Sequence, residues 1–292
     1  MFGQKKSMFA GLATTLFVGV AVGGDFPHAY QIPVSQEAVF NVSGSATQGD
    51  FGGDAFLTSV VYPDGSEHRE YYSPTRVTDL NVGASDGRNI RVRGGEHVTV
   101  GVPGLWKLGG LASRVESDTI TQADVAAFEP MLHQVMANQN INNYMDTYAS
   151  PQFSFVISFG RPVRDDDPLA SDVHGELLFF ERGEQGGNSW ITMQAVDASG
   201  AALGPALAVS PEETFPTVPA FYLNQSGQML GGLAIDVSRL GVSEVQHLRL
   251  RRTRTSDAGY RALMNNREDF NPDFKIMAVI THPDDMLKTS YD

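Results

Sequence analysis

The sequence contains no cysteine, so disulfides, thiol catalysis, Cys-ligated zinc and iron–sulfur chemistry are excluded. Basic residues are also scarce: 21 Lys and Arg stand against 34 Asp and Glu, for a net charge of −13. Nucleic-acid binding needs a broad basic footprint, and this balance opposes it. A chain without disulfides must be held together by its hydrophobic core, by bound metal or by assembly.

Long apolar runs are scarce as well, and the clearest one lies near the N-terminus. Lys5 and Lys6 precede an apolar stretch at residues 8–22, and Ala21-Val22-Gly23 offers small residues for cleavage. The stretch is shorter than the ~20 residues that span a bilayer. The pattern predicts a signal peptide at residues 1–24 and a periplasmic, cell-surface or extracellular protein that is not transmembrane after cleavage. A retained anchor is the alternative.

Enzyme signatures are missing from the sequence. There is no Gly-x-Ser-x-Gly elbow, no His-Glu-x-x-His and no phosphate-binding glycine loop. The seven histidines are scattered along the chain, with no pair at metal-ligand spacing. We therefore expect no catalytic residues and no bound organic cofactor, although 34 acidic residues leave room for a carboxylate pair.

The sequence does contain many strand-like segments. Phe153, Phe155, Ile157 and Phe159 alternate with polar or smaller residues, which indicates a strand with one buried face. Further strand-like segments follow at ~10-residue spacing, separated by Gly, Asp and Asn turns. This arrangement predicts a mainly β fold, an antiparallel β-sandwich or jelly-roll.

One segment has helical periodicity instead. Val125, Phe128, Leu132 and Val135 fall on one helical face, which predicts a short helical insertion at residues 121–148. Pro130 is predicted to divide it into two helices. Residues 25–292 are expected to form a single mainly β body, with two possible β subregions at 30–111 and 152–281. A helical segment at 118–149 would bridge them.

The most distinctive stretch is residues 175–197, GELLFFERGEQGGNSWITMQAVD. Its continuous apolar run ends at Glu181-Arg182-Gly183, and a polar glycine-rich loop precedes a second strand-like run. This pattern predicts the core hairpin of a β domain, in which Glu181 and Arg182 end a buried strand.

Two acidic segments are candidate calcium sites, because Ca²⁺ prefers several oxygen ligands in an adaptable loop. The first contains Asp50 and Asp54, and the second contains Asp165, Asp166 and Asp167. Neither segment has EF-hand spacing. Solvated turn carboxylates are the alternative interpretation.

A basic cluster near the C-terminus stands out against the acidic chain. Arg249, Arg251 and Arg254 form a candidate binding surface for an anionic glycan or an acidic neighbour. On a strand, Arg249 and Arg251 share one face with His247, while Leu248 and Leu250 share the other with Arg252. Cross-strand pairing with carboxylates is the structural alternative.

Several segments of the second half resemble the exosortase-associated (PEP-CTERM-type) bacterial surface proteins. The matching residues are FFERG at 179–183, NS at 188–189, QAVD at 194–197, NYMD at 143–146 and NPDFK at 271–275. The resemblance covers residues 142–281 and implies an extracellular, non-enzymatic protein of the envelope or matrix. The sorting tail of that family is absent here, so tail processing is not carried over.

These observations together predict a secreted cell-surface or extracellular-matrix protein that acts by binding or assembly. Its expected partners are other envelope or matrix components and possible glycans. A carbohydrate-binding or calcium-dependent adhesin module is the alternative, and a glycan hydrolase or lyase comes third.

Overall fold

The computed structural model describes residues 38–44, 54–82, 90–93, 105–107, 114–117, 125–147, 152–166, 174–182, 191–209, 215–218, 229–252 and 273–280. The signal-peptide segment lies outside the described residues. No helix in the described part of the chain is long and apolar enough to cross a bilayer.

The described strands of the first half are short. They are β1 (Val39–Gly44), β2 (Ala55–Val61), β3 (Glu67–His68), β4 (Tyr71–Tyr72), β5 (Arg76–Val82), β6 (Ile90–Arg93), β7 (Leu105–Lys107) and β8 (Arg114–Ser117). The helix α1 (Val125–Ala137) and β9 (Tyr144–Thr147) follow.

Longer strands dominate the second half. They are β10 (Phe153–Arg164), β11 (Leu177–Arg182), β12 (Ile191–Val196), β13 (Ala202–Val209), β14 (Phe215–Pro216), β15 (Leu230–Ile235), β16 (Glu244–Arg252) and β17 (Phe274–Val279). A short 3-10 helix at Val237–Leu240 links β15 to β16.

These strands form three antiparallel sheets, so the predicted mainly β sandwich is confirmed. A three-stranded sheet has the order β1-β2-β3, and a five-stranded sheet has the order β13-β12-β16-β10-β5. A nine-stranded sheet runs β14-β15-β11-β17-β9-β6-β8-β7, with β4 also pairing with β17. Strands from both halves of the sequence share sheets, since β5 pairs with β10 and β4 with β17.

The three sheets are layered around two hydrophobic clusters. One cluster lies between the five-stranded and nine-stranded sheets and includes α1, with Phe155, Phe179 and Phe274 at its centre. The other lies between the nine-stranded and three-stranded sheets and includes Phe40 and Phe180. The nine-stranded sheet is therefore the central layer, and β11, β15 and β17 are buried on both faces.

The predicted hairpin at residues 175–197 is wrong. β11 lies between β15 and β17 in the nine-stranded sheet, whereas β12 lies between β13 and β16 in the five-stranded sheet. The chain therefore crosses from one layer to the other between them. The apolar run of β11 reflects burial on two faces, which requires two neighbouring layers rather than a turn partner.

The predicted division of the helix at Pro130 is also wrong. Helix α1 continues through Pro130 from Val125 to Ala137. The proline ring removes the hydrogen bond that the carbonyl of Ala126 would accept. Both Pro130 and Ala126 are exposed, so this carbonyl can be hydrated and the helix continues.

The β5 edge of the five-stranded sheet makes a hydrogen bond with helix α1. Strand β5 carries a bulge of Asp79 and Leu80 opposite Phe155 of β10, with Asp79 at a φ of 57°. Within the bulge, the backbone N–H of Leu80 donates to Oε2 of Glu129 at 3.1 Å. The helix therefore provides the hydrogen-bond acceptor that a further strand would otherwise supply.

Gly232 of β15 allows the central and three-stranded sheets to approach closely. A Cβ atom at this position would lie 2.7 Å from the ring of Phe40. The same ring packs edge-on against Phe180, with ring centroids 5.7 Å apart. The second cluster therefore depends on a residue without a side chain.

We expect Gly232→Ala to lower the free energy of unfolding by about 1–3 kcal/mol, because the added methyl overpacks the Phe40 ring. Urea denaturation measures this change. Gly160→Ala is the matched control, since its Cβ would meet only the side chain of Thr75, at 3.1 Å, on an exposed part of β10. Equal effects of the two substitutions would contradict the packing argument.

Lys275 is a fully buried lysine in the central layer. Its Nζ donates to the carbonyl of Val135 at 2.6 Å and to Oδ1 of Asn138 at 3.0 Å. The Val135 carbonyl belongs to the last turn of α1, where carbonyls lack helical partners. Burial lowers the pKa of Lys275 well below its usual value, since desolvation penalises the ammonium form.

This lysine predicts a pH-dependent contribution to stability. The unfolded chain keeps Lys275 protonated up to a pKa of ~10.4, whereas the folded chain releases that proton at a lower pH. Between these two pKa values, stability rises with pH by up to ~1.4 kcal/mol per unit.

We therefore expect the free energy of unfolding of wild type, relative to Lys275→Met, to increase between pH 8 and pH 10. Chemical denaturation at several pH values measures the difference, in which the titrations of other groups cancel. Met277→Leu, a buried change on the same strand, serves as a control with a constant difference from wild type. A constant difference for Lys275→Met as well would refute the lowered pKa.

Candidate functional site

Two histidines and an aspartate that are distant in sequence meet at one end of the β2–β3 hairpin. His68 lies on β3, Asp166 follows β10, and His174 precedes β11. One ligand atom from each of these three residues lies within 4.8 Å of the others. Nδ1 of His174 is 3.4 Å from Oδ2 of Asp166, and the two imidazole centroids are 5.9 Å apart.

The β2–β3 turn positions one of these imidazoles. Oδ1 of Asp64 accepts hydrogen bonds from the backbone N–H and the hydroxyl of Ser66, at 2.8 and 2.7 Å. Oδ2 of Asp64 lies 3.0 Å from Nε2 of His174, and the Ser66 hydroxyl lies 2.8 Å from the same nitrogen. The Ser66 hydrogen bonds lower the pKa of Asp64 to about 2, with a smaller contribution from His174.

The other imidazole is anchored to the strand ends beside it. His68 makes a hydrogen bond with the backbone of Ile280, directly after β17. Burial lowers the pKa of His68, since desolvation favours the neutral imidazole, and the nearby His174 lowers it further. The carboxylate of Asp166 acts in the opposite direction.

Tyr62 forms the inner wall of the cluster. Its ring lies 4.8 Å from that of His174 and 5.5 Å from that of His68, measured between centroids. Its hydroxyl donates to the carbonyl of Gly175 at 2.6 Å, which fixes the backbone directly after His174. Burial raises the pKa of Tyr62 well above its usual value.

Glu176 supports the cluster from below. It is fully buried, and its Oε2 accepts from the backbone N–H of Val237 at 2.9 Å. Its Oε1 accepts from the backbone N–H of Asp166 at 3.4 Å. Burial raises the pKa of Glu176 to about 9, and the charges of Asp166 and Asp236 add to the effect. Burial therefore favours the neutral form of this carboxyl, while the hydrogen bond from Val237 acts in the opposite direction.

The predicted calcium ligands occupy different environments. Asp54 precedes β2 and accepts a hydrogen bond from Nδ2 of Asn140 at 2.7 Å. Asp165 follows β10 and donates its backbone N–H to Ser243 at 3.0 Å. Asp166 has two imidazoles as neighbours. Imidazole is a preferred ligand of transition metals, whereas Ca²⁺ prefers oxygen ligands. Asp50 and Asp167 lie outside the described residues, and calcium binding stays a prediction.

The predicted arginines lie on the outer face of the five-stranded sheet. Arg249 and Arg251 alternate on β16 with Leu248 and Leu250, whose side chains are in the core. The cross-strand neighbours of Arg251 are Thr192 and Ser154, and those of Arg249 are Gln194 and Val156. None of these four register neighbours is a carboxylate, and cross-strand ion pairing stays an alternative interpretation. Arg254 lies outside the described residues.

The residues paired across the strands with Arg251 form one cross-strand row, those paired with Arg249 form a second, and those paired with His247 form a third. His247 lies opposite Val196 and Ser158, and Ser158 lies opposite the exposed Arg76 of β5. We call the outward residues Arg76, His247, Arg249 and Arg251 the arginine face. Arg249 donates to the carbonyl of Gly200, which positions a guanidinium that carries five N–H donors in all.

The charged end of β11 has a structural role. Glu181 is buried, and its Oε2 accepts from the backbone N–H of Asp273 at 3.2 Å. The pairing of β11 with β17 brings the two residues together. Glu181 therefore joins two neighbouring strands, as the interpretation of a strand end implies.

The cluster of His68, Asp166 and His174 was missed by sequence reasoning. His68 and His174 are 106 positions apart, so no local spacing could reveal them. The one signal was Asp166 itself, which was assigned to an oxygen-only site.

No protein-family model matches this chain, and no curated protein matches it. The resemblance to exosortase-associated surface proteins therefore stays a prediction.

Proposed function

We propose that this chain is an exported, non-enzymatic protein of the cell surface or extracellular matrix that works by binding. Its binding surface is the arginine face, and its ligand is an acidic polysaccharide. The observation that carries this proposal is the alignment of Arg76, His247, Arg249 and Arg251 on three adjacent cross-strand rows.

Charge complementarity favours an anionic ligand. The chain as a whole carries a net charge of −13, yet none of the register-paired residues in the three rows is acidic. Across the five strands these residues are Ala208, Thr192, Arg251, Ser154 and Asn81, then Ala206, Gln194, Arg249, Val156 and Thr78, then Ala202, Val196, His247, Ser158 and Arg76. A local cationic surface on an acidic protein attracts anions at that surface alone.

The spacing of the cations favours a polymer. Alternate residues on a strand are about 7 Å apart, and neighbouring strands are about 4.8 Å apart. Arg249 and Arg251 follow the first spacing along β16, while Arg76 lies two strands away on β5. Guanidinium groups bind carboxylate and sulfate through paired hydrogen bonds, so a chain of repeated anionic groups can engage several of them together.

The neighbouring side chains suit a sugar ligand. Ser154, Ser158, Asn81, Thr78 and Gln194 provide hydroxyl and amide groups between the cations, and all five are half-buried or exposed. The sheet beneath is backed by the first hydrophobic cluster, so the surface is rigid. The predicted signal peptide would bring this surface into contact with envelope and matrix polysaccharides.

Binding to immobilised polygalacturonate, with neutral dextran as the control polymer, tests this proposal. We expect wild type to bind polygalacturonate, and to bind less as salt is raised from 50 to 500 mM. The double variant Arg249→Gln/Arg251→Gln should bind at least about 10-fold more weakly at 50 mM salt, since each charged hydrogen bond contributes ~1.5–3 kcal/mol.

The matched control is Arg69→Gln/Arg164→Gln, which removes the same charge from two exposed arginines paired with Glu67 and Glu244. It should change affinity less than about 3-fold. Equal loss in both double variants, or equal binding to dextran, would contradict the proposed face. Self-association that the Arg249→Gln/Arg251→Gln change abolishes would identify a second copy as the ligand and overturn the glycan.

A further inference from the structure

We propose that His68, Asp166 and His174 bind a divalent transition metal ion of the zinc type. This site is separate from the arginine face, and the inference does not depend on the proposed function. The three residues come from the β2–β3 hairpin, the segment after β10 and the segment before β11. A bound ion would join these three parts of the chain.

The spacing of the ligand atoms fits a tetrahedral ion. Bond lengths of ~2.0–2.2 Å to nitrogen and oxygen place two ligands of a tetrahedral ion about 3.3–3.5 Å apart. Nδ1 of His174 and Oδ2 of Asp166 are 3.4 Å apart already. The atom of His68 lies within 4.8 Å of both, so it closes the site with a shift of about 1 Å.

The remaining ring nitrogens are also held as metal-binding histidines require. A histidine ligand uses its second ring nitrogen to donate to a carboxylate or a backbone carbonyl, which fixes the tautomer and the ring orientation. Here Nε2 of His174 faces Oδ2 of Asp64 at 3.0 Å, which leaves Nδ1 for the ion. The His68 ring also makes a hydrogen bond with the backbone of Ile280, which holds the imidazole beside the cluster.

The ligand types select the class of metal. Two imidazoles and one carboxylate suit Zn²⁺ and its neighbours in the first transition series, whereas Ca²⁺ and Mg²⁺ prefer oxygen alone. Three protein ligands leave one position of a tetrahedral ion for water or for another ligand. Because the chain has no cysteine, no disulfide can crosslink its loops, and such an ion would supply a crosslink of this kind.

Zinc titration of EDTA-treated, dialysed protein tests the site. Isothermal titration calorimetry should give one Zn²⁺ per chain, and Zn²⁺ at 100 times its dissociation constant should raise the Tm by about 5–10 °C. Ca²⁺ at the same concentration should leave the Tm unchanged. Wild type loaded with Co²⁺ should show the intense visible absorption of a tetrahedral ion, a readout that needs no variant.

Three variants locate the ion. His68→Ala and His174→Ala should each abolish stoichiometric binding and the Co²⁺ absorption. Asp64→Asn should weaken Zn²⁺ binding by about 10–100-fold while keeping one ion per chain, because it removes the carboxylate that holds Nε2 of His174 and leaves Oδ1 able to accept from Ser66. His247→Ala is the matched control, since that half-buried imidazole bonds Ser158 on the arginine face.

The proposal is overturned if wild type binds no Zn²⁺ at 100 µM or shows no tetrahedral Co²⁺ spectrum. It is also overturned if His247→Ala weakens binding as much as His174→Ala does. If Ca²⁺ raises the Tm and Zn²⁺ does not, the site belongs to an oxygen-ligand metal and the assignment is wrong. Loss of polysaccharide binding alone would leave these outcomes unchanged, so the two proposals fail separately.

Discussion

The burial of one sheet between two others is the constraint on which this structure depends. Strands β11, β15 and β17 contribute side chains to both hydrophobic clusters, so each must be apolar on its two faces. The polar groups within this layer need partners, because an unpaired buried group costs several times what a typical hydrogen bond contributes. Lys275 accordingly donates a hydrogen bond to a carbonyl in the last turn of α1. Glu181 accepts a hydrogen bond from the backbone N–H of Asp273. Glu176 accepts two backbone N–H groups, and burial raises its pKa. The central layer thus fixes both the helix and the strand ends around it.

Much of this fold could be predicted from local patterns. The alternation in β10 predicted its buried face correctly, because a strand with one covered side repeats every two residues. The partner of β11 could not be predicted in this way. A continuous apolar run indicates that both faces of the strand are buried, but it does not indicate which strands pair with it in the sheet. Only the pairing with β15 and β17, which lie more than 45 residues away, resolves this.

The two candidate sites differ in the same respect. The arginine face is a local feature, since the positions of Arg249 and Arg251 on one strand determine their common direction. The cluster of His68, Asp166 and His174 is a product of topology. It forms because the β2–β3 hairpin, the end of β10 and the start of β11 meet at one end of the layers. The acidic segment at Asp166 predicted a metal site with oxygen ligands alone. The imidazoles of His68 and His174, which come from elsewhere in the chain, favour a transition metal there instead.

The contact between Leu80 and Glu129 has a consequence for how this protein can meet others. A sheet recruits a further strand only where backbone groups at its border await partners. On the β5 side, a helix carboxylate already accepts the N–H of Leu80. On β13, Gly204 lies so near the carbonyl of Leu240 that a Cβ there would be 1.9 Å away, so the 3-10 helix covers one face of this strand. The N–H of Leu80 at the β5 edge is thus already paired, while Arg249, Arg251 and Gln194 on the outer face are half-buried. A strand added beside Leu80 would first have to displace this hydrogen bond, whereas a ligand on the outer face can contact side chains without breaking a backbone pair.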